Sequence, residues 1–218
     1  MYERAAAAID HLVIVAPSLE SGSAHVAAAL GVTPQRGGEH AVMGTHNALV
    51  RLGGALYLEV IAANPDAPRP DRARWFELDR PGVTATARLA TWVARTGDIH
   101  AAVAKSPIPL GRIEPMTRGS LHWLVTVPDD GSLPAQGIAP TLIQWLDEAH
   151  PASRLADSGC ALVRLEGFHP DAERIEAMLR AIRFAGDFTV SPIAAHEKPY
   201  LLAHIQTPNG MRRLGGPE

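Results

Sequence analysis

The sequence predicts an α+β fold of paired βαβββ units with a partial third unit at the C-terminus. Three observations predict it. A strand–helix–strand–strand–strand order is legible over about residues 9–63. The same order returns over about residues 88–148. A weaker copy, one strand short, follows to the C-terminus. A repeat of this kind implies that each unit buries its sheet face against a sister unit.

The first unit opens with residues 9–16 (IDHLVIVA), short and rich in Val and Ile, which read as a strand. Ser18 is placed to cap a helix over 19–30, and Gly31 to stop it. A short strand is expected at 32–36, and Gly37-Gly38 then open a loop to Gly44. Strands 46–52 and 55–62 flank Gly53-Gly54, a strong hairpin signal. Residues 64–82, rich in Pro, Asp and Arg, read as a linker or excursion loop.

The second unit takes strand 89–95, helix 98–105, strand 110–116, and strands 121–127 and 141–146 joined by a loop over 128–140. In the third copy, strand 161–167 leads to a helix capped by Asp171, with Ile175, Met178, Leu179 and Ile182 on one face. Strands 188–193 and 200–206 end it. Residues 1–153 are expected to form one domain, with 154–218 packed on the same body.

Composition bounds the function. The 218 residues are 46% hydrophobic and 20% charged, an ordinary globular balance that excludes wholesale disorder. The formal charge of -3 offers no basic excess for phosphate binding, so a nucleic-acid partner is not expected. The single cysteine, Cys160, suits a reducing compartment. The N-terminus makes a poor export signal and no run is long enough to span a bilayer, so a cytoplasmic protein without a membrane partner is expected. The glycine pairs are not followed by Lys-Ser or Lys-Thr, so no nucleotide cofactor is expected.

Side-chain alternation singles out Glu59. If Gly53-Gly54 alone form the turn, Tyr57, Glu59 and Ile61 share a face with His46, Ala48 and Val50, while Leu56, Leu58 and Val60 face the helices. An ionised carboxylate mid-strand is costly to bury unless it is paired, on a metal, or in a wet cavity. His46 is expected diagonal to Glu59, at roughly 7–8 Å between β-carbons.

The strand IDHLVI, the run GTHNAL at 44–49 and YLEVI at 57–61 resemble the glyoxalase-like branch of the vicinal oxygen chelate superfamily, which includes glyoxalases, bleomycin-resistance proteins and extradiol dioxygenases. RLATWVART at 88–96 and PTLIQWLDEAHPAS at 140–153 look similar as well. The resemblance implies curved mixed sheets around a cleft. In metal-dependent members the first and fourth strands of each of two units supply ligands to a metal that chelates substrate oxygens. On this sequence that pattern falls on His11 and Glu59 in the first unit, and on Thr91 and Gln144 in the second. The second pair departs from the metal pattern.

Each candidate carries two readings. His11, Glu59 and His46 together offer two imidazoles and a carboxylate, a set suited to Zn, Mn, Fe or Ni; otherwise His11 and Glu59 form a hydrogen bond in a polar cleft. Glu59 alone could act as a general base toward a proton next to a carbonyl, or be a structural carboxylate. His46, Asn47, Trp92, His122 and Gln144 are the expected substrate-binding residues, and for Trp92 the competing reading is core packing. Because alternation sends His46 and Asn47 to opposite faces, only one of them can enter the cleft.

The expected activity is that of a small-molecule enzyme, a lyase, isomerase or dioxygenase relative acting on a carbonyl- or diol-containing substrate. The alternative is a metal-free protein that binds or sequesters small molecules. Whether the chain pairs as a homodimer is open at this level.

Overall fold

A computed structural model describes residues 7–82 and 85–217. Strand β1 (Ala8–Val15) leads into helix α1 (Leu19–Leu30). Ser18 starts α1 by accepting from the Ser21 N–H, and Gly31 ends it at a φ of 74°, a left-handed conformation that glycine adopts freely. Strands β2 (Gln35–His40), β3 (Thr45–Arg51) and β4 (Tyr57–Ala63) complete the unit. The second unit repeats the order with β5 (Arg88–Arg95), α2 (Ile99–Lys105), β6 (Arg112–Arg118), β7 (Leu121–Val127) and β8 (Thr141–Trp145).

The two units share one eight-stranded sheet, in the order β2-β3-β4-β1-β5-β8-β7-β6. At its centre β1 and β5 pair antiparallel, and each pairs in parallel with the last strand of its own unit. The sheet curls until its edges, β2 and β6, approach each other. Both faces are apolar. Leu12, Ile14, Leu58, Val60 and Leu142 pack with Val26 and Leu30 on the convex side, and Val13, Val15, Ile61, Val93, Val125 and Ile143 line the concave side. Fully burying one such side chain contributes about 1.5–3 kcal/mol.

The third unit is complete. After β9 (Ala161–Phe168), α3 (Ala172–Ala181), β10 (Phe188–Ser191) and β11 (Tyr200–Thr207), a last strand β12 (Gly210–Gly215) supplies the member the sequence did not reveal. β12 reads poorly as a strand because GMRRLG is mostly exposed and carries no alternating apolar stripe. The unit is also wound differently, as a separate sheet in the order β10-β9-β11-β12. It packs on the convex face of the large sheet, where Phe188 and Phe184 meet Trp92 at ring distances of 4.5 and 5.3 Å. Trp92 is wholly buried there and its Nε1 donates to the Ile138 carbonyl at 2.9 Å. It therefore belongs to the core joining the units and does not reach the concave face. Cys160 is buried in the same core.

Two further corrections matter for the site. The strand expected at 32–36 lies at 35–40, so Gly37-Gly38 sit inside β2 rather than in a loop. The β3–β4 hairpin turns through Gly53, Gly54 and Ala55, because the Leu52 N–H donates to the Leu56 carbonyl and closes a longer loop. The register moves by one residue, pairing Leu49 with Glu59 and Asn47 with Ile61. A one-residue slip exchanges the two faces of a strand. Asn47 thus joins Glu59 on the concave face, and His46 moves to the other side.

Candidate active site

The concave face encloses a narrow pocket of about 40 Å³, with His11, Glu59 and Tyr57 from β1 and β4 on one wall. That is room for a few waters or for a ligand of about that size. Asn47, His40 and Arg118 form a polar side, and Trp75, Phe76, Trp123 and Trp145 form aromatic walls.

A β-bulge builds the first wall. Between β1 and β5, Ile9 faces Ala94 and His11 faces Val93, so Asp10 is an extra residue in β1. A bulge breaks strict alternation, and the Asp10 and His11 side chains meet at 2.7 Å between Oδ1 and Nδ1. The other Asp10 oxygen accepts from Trp145 Nε1 at 2.9 Å and lies 3.1 Å from His150 Nε2. Burial alone would raise the Asp10 pKa, but the hydrogen bonds from His11 and His150, with their charge, hold its carboxyl well below the usual range. Asp10 is therefore a fixed anion behind His11. With Nδ1 turned to Asp10, His11 presents Nε2 to Glu59 Oε2 at 3.6 Å. Tyr57 stacks on the His11 ring at 4.5 Å and holds its plane. Burial, with the charges of Asp10 and Glu59, raises the Tyr57 pKa well above 10.0, so its phenol stays neutral.

The second wall is a polar chain. Asn47 Nδ2 donates to Glu59 Oε1 at 2.6 Å. Asn47 Oδ1 accepts from the Gly38 N–H at 2.8 Å and from Arg118 Nη1 at 3.4 Å. Arg118 Nη1 also lies 3.2 Å from His40 Nε2. A guanidinium can only donate, so His40 Nε2 accepts and its Nδ1–H points to Thr45 Oγ1, 3.1 Å away. Burial, together with the charge of Arg118, lowers the His40 pKa to about 3, and the imidazole is neutral. The glycine pair makes room for this chain. A Cβ on Gly37 would lie 2.0 Å from Asn47 Oδ1, and one on Gly38 would lie 2.7 Å from Arg118 Cδ.

The excursion loop supplies the third wall, which the sequence did not reveal. Arg72 Nη1 pairs with Glu114 Oε1 of β6 at 3.0 Å, and Arg74 Nε donates to the Gly44 carbonyl at 3.2 Å. These ties carry Trp75 and Phe76 over the pocket, their rings stacked at 5.5 Å. Phe76 holds a φ of 58°, an uncommon backbone state for an aromatic residue.

Of the residues expected from sequence, the structure brings together His11, Glu59 and Asn47. His46 points away from them, across from Glu39 on β2. Gln144 faces helix α2, where its Oε1 accepts from the Ile99 N–H at 2.9 Å and completes the start of that helix. His122 is exposed on β7 and its Nδ1 lies 2.9 Å from Asp147 Oδ2. Trp92 is core, as described above.

The metal expected from the resemblance does not fit these residues. With His46 removed, the first unit offers two donors, His11 Nε2 and Glu59, and one Glu59 oxygen already accepts from Asn47. Strand pairing assigns the matching positions of the second unit. His11 faces Val93 while Val13 faces Thr91, so Thr91 mirrors His11. Val13 lies beside Glu59 and Val93 beside Thr141, so Thr141 mirrors Glu59 in place of Gln144. Two buried threonines replace the second ligand pair. A catalytic metal usually takes three protein ligands, and among the described residues no group of three His, Cys, Asp or Glu is arranged to hold one.

The fold and the pocket define a small-molecule cleft protein built on paired βαβββ units. The chain belongs to the glyoxalase-like domain family, whose match spans residues 9–182. Among solved structures it is similar to a methylmalonyl-CoA epimerase in complex with methylmalonyl-CoA and NH4+, at 18% identity over 67% of this chain and 100% of that one, with a TM-score of 0.45. It is also similar to methylmalonyl-CoA epimerase from Mycobacterium tuberculosis, at 16% identity over 63% and 85% of the two chains, with a TM-score of 0.40. A hypothetical protein from Bacillus halodurans shares 12% identity over 66% and 96%, with a TM-score of 0.44. No curated protein sequence matches the chain. No helix among the described residues is long and apolar enough to cross a membrane.

Proposed function

We propose that the pocket is the active site of an enzyme that moves a proton at a carbon next to a carbonyl, as isomerases and lyases of this fold would. One observation carries the reading: a carboxylate and an imidazole nitrogen 3.6 Å apart, on the wall of a small pocket that aromatic rings also line. Glu59 takes the proton from carbon. The C–H electron pair enters the new C=C bond and the carbonyl π pair moves to oxygen, giving an enolate. Returning a proton to the opposite face of that carbon, or to another atom of the enolate, completes an isomerisation. Asp10 keeps the His11 ring in place with Nε2 toward Glu59, so the abstracted proton can be shared between the two groups. Trp75, Phe76, Trp123 and Trp145 exclude bulk water, which strengthens these interactions.

The test is deuterium uptake from D2O at the α-carbon of small ketones and 2-oxo acids, followed by NMR. Catalysed exchange that falls by about 10²-fold or more in Glu59→Gln is the expected result. Exchange no faster than buffer, or unchanged in that variant, overturns the reading. Saturable ligand uptake with no exchange would instead support the metal-free binding protein, which the aromatic walls favour.

A further inference from the structure

The pocket contains one cation, Arg118, whose charge is not neutralised by a carboxylate among the described residues. Arg118 is the last residue of β6 and reaches across the gap between the two edges of the curled sheet. Its guanidinium touches only neutral acceptors, His40 Nε2 at 3.2 Å and Asn47 Oδ1 at 3.4 Å. Neutral partners position a guanidinium without discharging it. Burial and the charge of Arg118 itself keep His40 neutral, which preserves that state.

Three features indicate that the site is built for this cation. Gly38 leaves space for the Arg118 chain, since a Cβ there would come within 2.7 Å of Cδ. One side-chain amide, that of Asn47, separates the guanidinium from the Glu59 carboxylate, because Asn47 contacts both. The indole Nε1 of Trp75, in the adjoining wall, is a buried donor with no partner among the described residues. The Arg118 guanidinium and the Trp75 indole are therefore donors that no carboxylate among the described residues meets, Glu59 being taken up by Asn47 and His11.

We infer that Arg118 is the binding residue for a substrate carboxylate, so that the substrate is a small anion carrying its carboxylate beside the reacting carbonyl, as in a 2-oxo acid. A guanidinium recognises a planar carboxylate through paired N–H donors, which makes it the side chain suited to this task. With the carboxylate on Arg118, the neighbouring carbons lie over Asn47 toward Glu59 and His11. The cation also faces the oxygen on which enolate charge would develop, a role for which the fold family otherwise implies a metal. The inference deepens the proton-transfer reading and rests on it for the position of the carbonyl.

The test compares pyruvate with 2,3-butanedione, a neutral molecule of nearly the same shape, using quenching of pocket tryptophan fluorescence with chelator present. In the wild-type protein pyruvate saturates and binds tighter than butanedione. Arg118→Gln weakens pyruvate on the order of tenfold or more and butanedione much less, because only pyruvate loses a charged partner. Arg118→Lys restores part of the affinity. Equal affinity of the two ligands in the wild type, or no saturation by pyruvate, overturns the inference without any variant. So does a pyruvate affinity unaffected by Arg118→Gln in a folded protein. Deuterium exchange separates the two claims: Glu59-dependent exchange into butanedione without Arg118-dependent pyruvate binding leaves the proton-transfer reading standing and removes this one. Arg118-dependent binding without exchange does the reverse.

Discussion

Asn47 Nδ2 donates to Glu59 Oε1 at 2.6 Å across the β3–β4 ladder, and Asn47 Oδ1 accepts from the Gly38 N–H at 2.8 Å. One buried amide therefore fixes the carboxylate of β4 to the backbone of β2. Its two ends answer a charged acceptor and a backbone donor that would otherwise be buried without partners.

Replacing Asn47 with alanine strands both groups. An unsatisfied buried polar group costs about 1–3 kcal/mol, and more when charged. The expected loss of stability is about 2–4 kcal/mol, read from the urea midpoint. Glu59 would also lose its orientation, and a misplacement of about 1 Å can cost about 10²-fold in rate. A variant as stable as wild type would show that the amide contributes little.

Gly37 and Gly38 should respond differently to alanine. At Gly37 the new Cβ would lie 2.0 Å from Asn47 Oδ1 and 3.0 Å from the Asn47 carbonyl, which cannot move aside cheaply. Overpacking of this kind costs about 1–3 kcal/mol. At Gly38 the clash is with Arg118 Cδ at 2.7 Å, part of a flexible side chain that can swing away. Gly38→Ala should therefore unfold near the wild-type midpoint while losing pyruvate affinity. Thermal melts and the fluorescence titration on the two variants separate these effects.

The legible parts of the fold were those with local chemical marks. Helix α1 was bounded by Ser18 and Gly31, whose cap and left-handed turn are written in the residues themselves. The repeated element order gave the pairing of units. The site was less legible because four long-range facts decide it. A three-residue turn after Leu52 sets the register and so chooses Asn47 over His46. The Asp10 bulge leaves no trace in IDHLVIVA. Arg118 reaches the pocket only because the sheet closes on itself, and Trp75 only because Arg72 and Arg74 tie down an otherwise irregular loop. A polar residue turned into a dry face was the readable signal, and it identified Glu59.

Asp10→Asn should impair catalysis more than fold alone explains. Asp10 is fully buried and its oxygens meet His11, Trp145 and His150. An amide can accept at one position only, and its NH2 would face a ring nitrogen or the indole N–H. Breaking a buried charged cluster costs about 3–5 kcal/mol. The His11 ring would lose the partner that directs Nε2 toward Glu59, and proton exchange should fall by about 10²-fold or more. Exchange at the wild-type rate in Asp10→Asn would show that His11 takes no part.

Acid should destabilise the protein well before its surface carboxylates are protonated, and His40 is the reason. Its pKa is lowered from 6.5 to about 3 in the folded protein, chiefly by burial and then by the charge of Arg118. A group depressed on folding contributes stability that is present above its unfolded pKa and lost as pH falls toward the folded one. Between about pH 6.5 and 3 the unfolded chain binds a proton at His40 that the folded chain does not, so stability must fall through that window by an amount on the order of a few kcal/mol. Asp10 acts in the same direction at lower pH, because its carboxyl is held well below the range it has when unfolded. His40→Gln keeps an acceptor for Arg118 and a donor for Thr45 but cannot take up a proton. Urea midpoints at pH 7, 5.5 and 4.5 should decline steeply in the wild type and more gently in that variant. Equal slopes would place the acid sensitivity elsewhere than in the pocket.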